Sequence, residues 1–244
     1  MPAGIAAPKR PGDPAEFFKN GGLALEDFEQ ELAADVRGKR VLQVACSSGD
    51  QVLSWANLGA DAIGIDISDV AIEIARCKAA DAGIQADLRQ ADMFDLPADL
   101  VDLDLIYFSG GAICWAPDLN VFARILADRL QPGGSVLMSD HHPIWEILAV
   151  RGNNHLKVVG DYFGRDTPRD ETDDAKRPLG ARGDAQAPPF SAFVWPTSDV
   201  VMALIRAGLR LDAYFEAPQA EIYGRLGDVG SRLPAYYVIK ASKS

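Results

Sequence analysis

The sequence predicts an α/β fold, a mostly parallel sheet with helices packed on its faces. Three observations carry that reading. Val41-Leu-Gln-Val44 is a short β-rich apolar run without polar alternation, the pattern of a parallel strand buried on both sides. It stops in the small residues Ala45, Ser47, Ser48 and Gly49, and a helical pattern with Val52, Leu53 and Trp55 follows as far as Gly59. A second run, Ala62-Ile-Gly-Ile-Asp66, then ends in an acid 17 positions after Gly49.

The remaining elements continue that rhythm. Residues 1–14 read as a flexible tail and 15–244 as one domain. Glu16 to Val36 is helical in pattern, with Leu25, Phe28, Leu32 and Val36 at three- and four-residue spacing, and Gly21-Gly22 divides it. Phe17 and Phe18 either cover a ligand pocket or pack on the sheet edge. Ser68 suits the N-cap of a helix over Asp69–Ala82, with Ile72, Ile74, Ala75 and Ala79 inward and Gly83 at its end. Ala86–Gln90 reads as a third strand, and Asp104–Phe108 as a fourth ending in Ser109-Gly-Gly111. A helix opened by Pro117 or Asp118 stops at Gln131-Pro-Gly-Gly134, and Ser135–Ser139 is a fifth strand. After an irregular stretch, a helix capped by Thr197 or Ser198 and the strands Leu209–Phe215 and Ala235–Ile239 complete the chain.

Strand, tight turn, helix and a following acid together suit a nucleoside-containing cofactor. Small residues let backbone approach a ligand closely, the helix start offers free N–H groups, and an acid at the tip of the second strand matches the two hydroxyls of a ribose. The dinucleotide fingerprint needs three glycines in G-x-G-x-x-G, whereas Ala45, Ser47 and Gly49 supply one.

Instead, Val41–Gly49 resembles motif I of class I S-adenosylmethionine-dependent methyltransferases, commonly V-L-D-x-G-C-G-x-G. Leu53–Ala60, Gly64-Ile-Asp-Ile-Ser68, Ala91-Asp-Met-Phe-Asp-Leu-Pro97 and Leu130-Gln-Pro-Gly-Gly134 resemble that family's further signposts in the same order, strongly over residues 36–145. Gln43 stands where the family usually has an acid, and Ala45 and Ser47 where it has glycines. The resemblance implies a Rossmann-like seven-stranded sheet, mostly parallel, with the last strand antiparallel and inserted between its neighbours. It implies S-adenosyl-L-methionine as cofactor, held by Ala45, Cys46, Ser47, Gly49, Asp66, Ile67, Asp92, Met93 and Ser109. Asp92 would meet the adenine amino group and Met93 its ring.

Composition narrows the acceptor. A net charge of −11 over 244 residues disfavours a nucleic-acid surface or an anionic membrane and leaves a small-molecule substrate. Cys46, Cys77 and Cys114 form neither a disulfide framework nor a zinc pattern, and no metal is expected. The start lacks a signal-peptide core and no run reaches a membrane span, so the expected location is cytoplasmic, as a monomer or homodimer.

The acceptor side is expected in residues 141–195, a lid-like insert after the fifth strand that breaks the α/β rhythm. All three histidines, His141, His142 and His155, fall there within fifteen positions, and histidine is the side chain most easily poised near neutral pH. With Tyr162 they are the candidate catalytic residues. Tyr107, Trp115, Trp145 and Trp195 offer ring faces or core packing. The expected reaction is methyl transfer to a small molecule, of the kind that serves secondary metabolism. The alternatives are intramolecular cyclisation of the cofactor to azetidine-2-carboxylate and methylthioadenosine, a nicotinamide-dependent oxidoreductase, and a binding protein without turnover.

Overall fold

The computed structural model describes residues 14–151, 155–165, 169–170, 191–219 and 230–244. Two short helices, α1 (Pro14–Lys19) and α2 (Asp27–Ala33), precede β1 (Arg40–Val44). Then come α3 (Asp50–Asn57), β2 (Asp61–Asp66), α4 (Asp69–Ala82), β3 (Asp87–Gln90), β4 (Leu103–Ser109), α5 (Leu119–Arg129) and β5 (Leu130–His141). The insert holds α6 (Pro143–Ile147), the antiparallel hairpin of β6 (Leu148–Arg151) and β7 (His155–Val158), and the two-residue pair β8 (Arg169–Asp170) and β9 (Ser191–Ala192). The chain closes with α7 (Thr197–Arg206), β10 (Leu209–Ala217) and β11 (Tyr236–Lys243).

Seven strands form one sheet in the order β10-β11-β5-β4-β1-β2-β3. β1 pairs parallel with both β2 and β4, so the chain changes direction across the sheet between them. That switch point opens a crevice at the carboxyl ends of β1 and β4, where open α/β sheets bind ligands. β11 is antiparallel to β5 and β10 and lies between them, as the resemblance implies.

The absence of alternation in the strands has its cause in two cores. Leu42, Val44, Ile106, Phe108, Val136 and Met138 point to one face, and Val41, Leu105, Tyr107 and Leu137 to the other, all buried. Phe108 meets Phe122 of α5 at 5.6 Å, and Trp55 of α3 meets Tyr107 edge-on at 5.1 Å. Each such side chain contributes about 1.5–3 kcal/mol by leaving water.

Helix ends follow their sequence signals. Ser68 accepts a hydrogen bond from the Ala71 N–H, Gly83 closes α4 at φ 70°, and Asp118 accepts from Asn120 and Val121. Three expectations shift. Ile74 is exposed, because it is two residues from Ile72 and helical geometry turns it to the opposite side. Pro196, rather than Thr197 or Ser198, takes the cap position of α7. The insert is more regular than its composition suggests, since Ile147 at the end of α6 and Leu148 at the start of β6 pack with Val194. The tail at 1–13 and much of the segment between Gly164 and Phe190 lie outside the described residues. Among those described, no helix is long and apolar enough to cross a membrane.

Candidate functional site

The turn after β1 is built on unusual backbone. Ala45, Ser47 and Gly49 have φ of 51°, 49° and 79°, three left-handed residues in five. A Cβ at such a position costs about 1–2 kcal/mol, which explains why glycine is the common choice there. At Gly49 no other residue fits, since a Cβ would lie 2.8 Å from that of Ala75. The turn is held from outside. Ser47 N–H donates to Asp66 Oδ2 at 2.8 Å, and Cys46 N–H to the Ile65 carbonyl at 2.8 Å. Lys78 Nζ, from α4, donates to the Ser48 carbonyl at 2.8 Å and pairs with the buried Asp50. Sequence reasoning missed Lys78; its signal would have been a lysine facing an acid at a helix start.

Beside this turn lies a cleft of about 660 Å³. Of the residues the sequence proposes for the cofactor, Ala45, Ser47, Asp66, Ile67, Asp92, Met93 and Ser109 line it. Gly110, Gly111 and Trp115, at the sheet edge where a ligand is expected, line it too, and Ile65, Ala91, Phe94, Ala112 and Pro117, not foreseen in that role, complete the wall. Cys46 and Gly49 do not line it. The Cys46 side chain is 1% exposed and packs in the core, where a Cβ on Gly64 would lie 3.0 Å from its sulfur, and burial pushes the thiol up to about 12. Gly49 serves as the N-cap of α3.

The cleft suits an adenosyl group. Asp66 stands at the tip of β2, each carboxylate oxygen accepting one backbone N–H, from Ser47 and Ser68 at 2.8 and 2.9 Å. A carboxylate oxygen carries a second lone pair, so both can still accept from ribose hydroxyls. Ile67, 71% exposed, is a large apolar side chain at the mouth, and Met93 lies on the same wall against the core. Such a pair suits a flat ring. Asp92 accepts from Phe94 N–H at 2.8 Å and keeps acceptor capacity toward a ring amine.

A second cavity of about 320 Å³ adjoins the cleft through the shared residues Ser109 and Gly110. Glu26, Phe28, Glu29, Gln51, Tyr107, Ser139, Asp140, His141 and Tyr236 are among its lining. Tyr107 donates its hydroxyl to Glu29 Oε1 at 2.8 Å, and Glu26 N–H donates to Glu29 Oε2 at 2.9 Å. Burial, with Glu29 and Asp27 nearby, pushes Glu26 up to about 7, and burial raises Glu29 against its hydrogen bonds. These acids were overlooked in the sequence. Glu29 falls four residues after Leu25, on the inward stripe of α2, and an acid on an apolar stripe was the available signal. Phe17 and Phe18 line neither cavity; Phe18 is buried in the core with Trp55, so α2 rather than α1 covers the pocket.

The four candidate catalytic residues separate. His141 lines the second cavity, its ring against Trp145 at 4.4 Å. His142 is 6% exposed and lines neither cavity. Its Nδ1 accepts from Ile144 N–H at 3.1 Å, so Nε2 carries the proton and faces Glu216 at 3.2 Å. Burial lowers its pKa against the pull of Glu216. Tyr162 packs on Phe163 at 5.0 Å and on the hairpin cluster, outside both cavities. His155 sits at the start of β7, and its side chain lies outside the described residues. Between the histidines and β4, Asp140 is 2% exposed and accepts from the N–H groups of Gly111 (2.6 Å), His141 (2.7 Å) and Ile113 (2.9 Å). It therefore fixes the Ser109–Ile113 turn that separates the two cavities.

Known proteins agree with this geometry. A methyltransferase domain model matches residues 41–134. The ubiquinone biosynthesis O-methyltransferase of Bordetella avium is 32% identical over 150 residues, covering 59% of this chain and 62% of that protein. The protein of the same name from Xanthomonas euvesicatoria is 30% identical over 124 residues, covering 50% and 52%. The chain thus spans about half to three fifths of the length of these curated relatives. Among solved structures, the S-adenosylmethionine-dependent methyltransferase of Mesorhizobium loti superposes with a TM-score of 0.67 at 24% identity, over 88% of this chain and 96% of that one. One from Methanosarcina mazei gives 0.64 at 16% identity, over 90% and 98%. Residues 41–134 thus match a methyltransferase domain, and the seven-stranded sheet around them has the fold of the S-adenosylmethionine-dependent methyltransferases of known structure.

Proposed function

We propose that this chain binds S-adenosylmethionine in the larger cleft and delivers its methyl group to a small-molecule acceptor in the adjoining cavity. The observation that carries this is the pair of cavities meeting at Ser109 and Gly110, one shaped for an adenosyl group and one lined largely by polar side chains. When bound, the cofactor supplies a methyl group already activated on a sulfonium. The protein's task is then orientation and exclusion of water. Asp66 fixes the ribose, Ile67 and Met93 hold the ring, and Asp140 keeps the Ser109–Ile113 turn rigid between the two ligands. Of the histidines, His141 has a place at the acceptor, while His142 braces α6 and β10 behind it. The names of the curated relatives put oxygen acceptors among those to be tried, and the family resemblance suggests secondary metabolism as their source.

Incubation with methyl-labelled cofactor and a cell extract tests the reading. Label appearing in a new small molecule, with S-adenosylhomocysteine formed in equal amount, is the expected result. Label retained in methylthioadenosine, or no turnover while the cofactor is bound, would contradict it.

A further inference from the structure

The smaller cavity has a chemistry of its own. Its wall carries Glu26 and the 4% exposed Glu29, joined through a backbone N–H, with Tyr107 fixing one oxygen of Glu29 at 2.8 Å. Among the described lining residues there is no lysine or arginine, and among the described ion pairs none involves either acid. Gln51, on the same wall, accepts from the Gln43 amide at 3.4 Å, and the Gln43 carbonyl oxygen behind it is buried without a donor. Tyr236, stacked on Phe28 at 5.7 Å with 12° between the planes, closes one side with ring surface. The cavity is thus rich in acceptors and ring faces and poor in fixed positive charge. Two carboxyls in such a place either hold protons or await a cation.

Resting on the reading of the neighbouring cleft as the cofactor site, we infer that this cavity takes an aliphatic ammonium group, with Glu29 as its hydrogen-bond acceptor and Tyr107 as the residue that positions Glu29. Glu29 also accepts from Ser139, and of the roughly four acceptor sites of a carboxylate at least one is left for a further donor. Ring faces at Tyr236 and Phe28 favour the same charge. An acceptor carrying only a carboxylate or phosphate would face Glu26 and Glu29 with no fixed cation among the described lining residues. Two sources could bring the ammonium: the amino-acid end of the cofactor, reaching past Ser109 and Gly110, or a separate amine acceptor.

Calorimetry on the intact chain separates them. In the first arm, S-adenosylhomocysteine is compared with its deamino analogue, and each with methylthioadenosine, which lacks the amino-acid end. In the second, phenethylamine is compared with 3-phenylpropionate on protein saturated with S-adenosylhomocysteine. Both arms are repeated with Glu29→Gln, whose folding is checked by thermal denaturation. If the cofactor is the source, the deamino analogue binds at least tenfold more weakly, and Glu29→Gln removes that difference without changing the affinity for methylthioadenosine. If an acceptor is the source, phenethylamine binds at least tenfold more tightly than 3-phenylpropionate, and Glu29→Gln abolishes the preference. The wild-type comparisons stand even if the variant does not fold. The inference is overturned if the deamino analogue binds as well as S-adenosylhomocysteine and phenethylamine shows no advantage over 3-phenylpropionate. Failure of every adenosyl compound to bind would instead overturn the cofactor reading, and the phenethylamine comparison on ligand-free protein would still decide the cavity.

Discussion

Asp66 does two jobs with one carboxylate. It accepts from Ser47 and Ser68, which sets the turn, and it faces the cleft, which sets the ligand. Asp66→Ala should weaken S-adenosylhomocysteine binding by about 1.5–3 kcal/mol, the loss of charge-assisted hydrogen bonds, as read from the calorimetric dissociation constant of a folded variant. Next to it, Ala45 holds a left-handed φ with a Cβ. Ala45→Gly should raise stability by about 0.5–1 kcal/mol, the relief of the left-handed conformation less the added freedom of glycine in the unfolded chain. A lowered melting temperature would show that the Cβ is making contacts worth more than the strain. The strand-tip acid and the cleft residues Ile67, Asp92 and Met93 were legible because motif spacing fixes them. Glu26, Glu29 and Gln51 were not, because they come together only when α2 folds over the carboxyl ends of β4 and β5.

Among the elements, the strand–turn–helix unit of β1 and α3 was read directly, as were the caps at Ser68 and Asp118, since each rests on local chemistry. The hairpin of β6 and β7 was not, since Gly152-Asn-Asn154 between them is one residue longer than a two-residue turn and each strand is only four residues. The histidines show the same limit. His141 and His142 are neighbours in sequence, yet β5 alternates and sends only His141 toward the smaller cavity. His142 instead accepts from Ile144 N–H at the start of α6. His142→Ala should therefore lower stability by roughly 1 kcal/mol, the usual size of a lost helix cap, and leave the proposed methyl transfer by the folded protein within a few-fold of the parent. His141→Ala should impair turnover more than it impairs cofactor binding. Steady-state kinetics beside thermal denaturation would distinguish the two, and an inactive but stable His142→Ala protein would restore that residue to the site.

For the molecule as a whole, the acid-lined cavity links stability to pH. Burial raises Glu26 from an ordinary 4.5 to about 7. The folded protein then keeps a proton that the unfolded chain has already released, so this group lowers stability as pH rises from about 4.5 to about 7 and changes nothing further above that range. Glu26→Gln should flatten the melting-temperature profile over that interval, and an unchanged profile would mean that Glu26 titrates normally.

The switch point between β1 and β4 decides where ligands go, and it follows from strand order alone. The most direct measurement is a calorimetric titration of the protein with S-adenosylhomocysteine, with a nicotinamide dinucleotide titrated in parallel. One site of micromolar or tighter affinity for the former, and no heat from the latter, is the expected result. Binding of the dinucleotide without binding of S-adenosylhomocysteine would contradict the cofactor reading at its root.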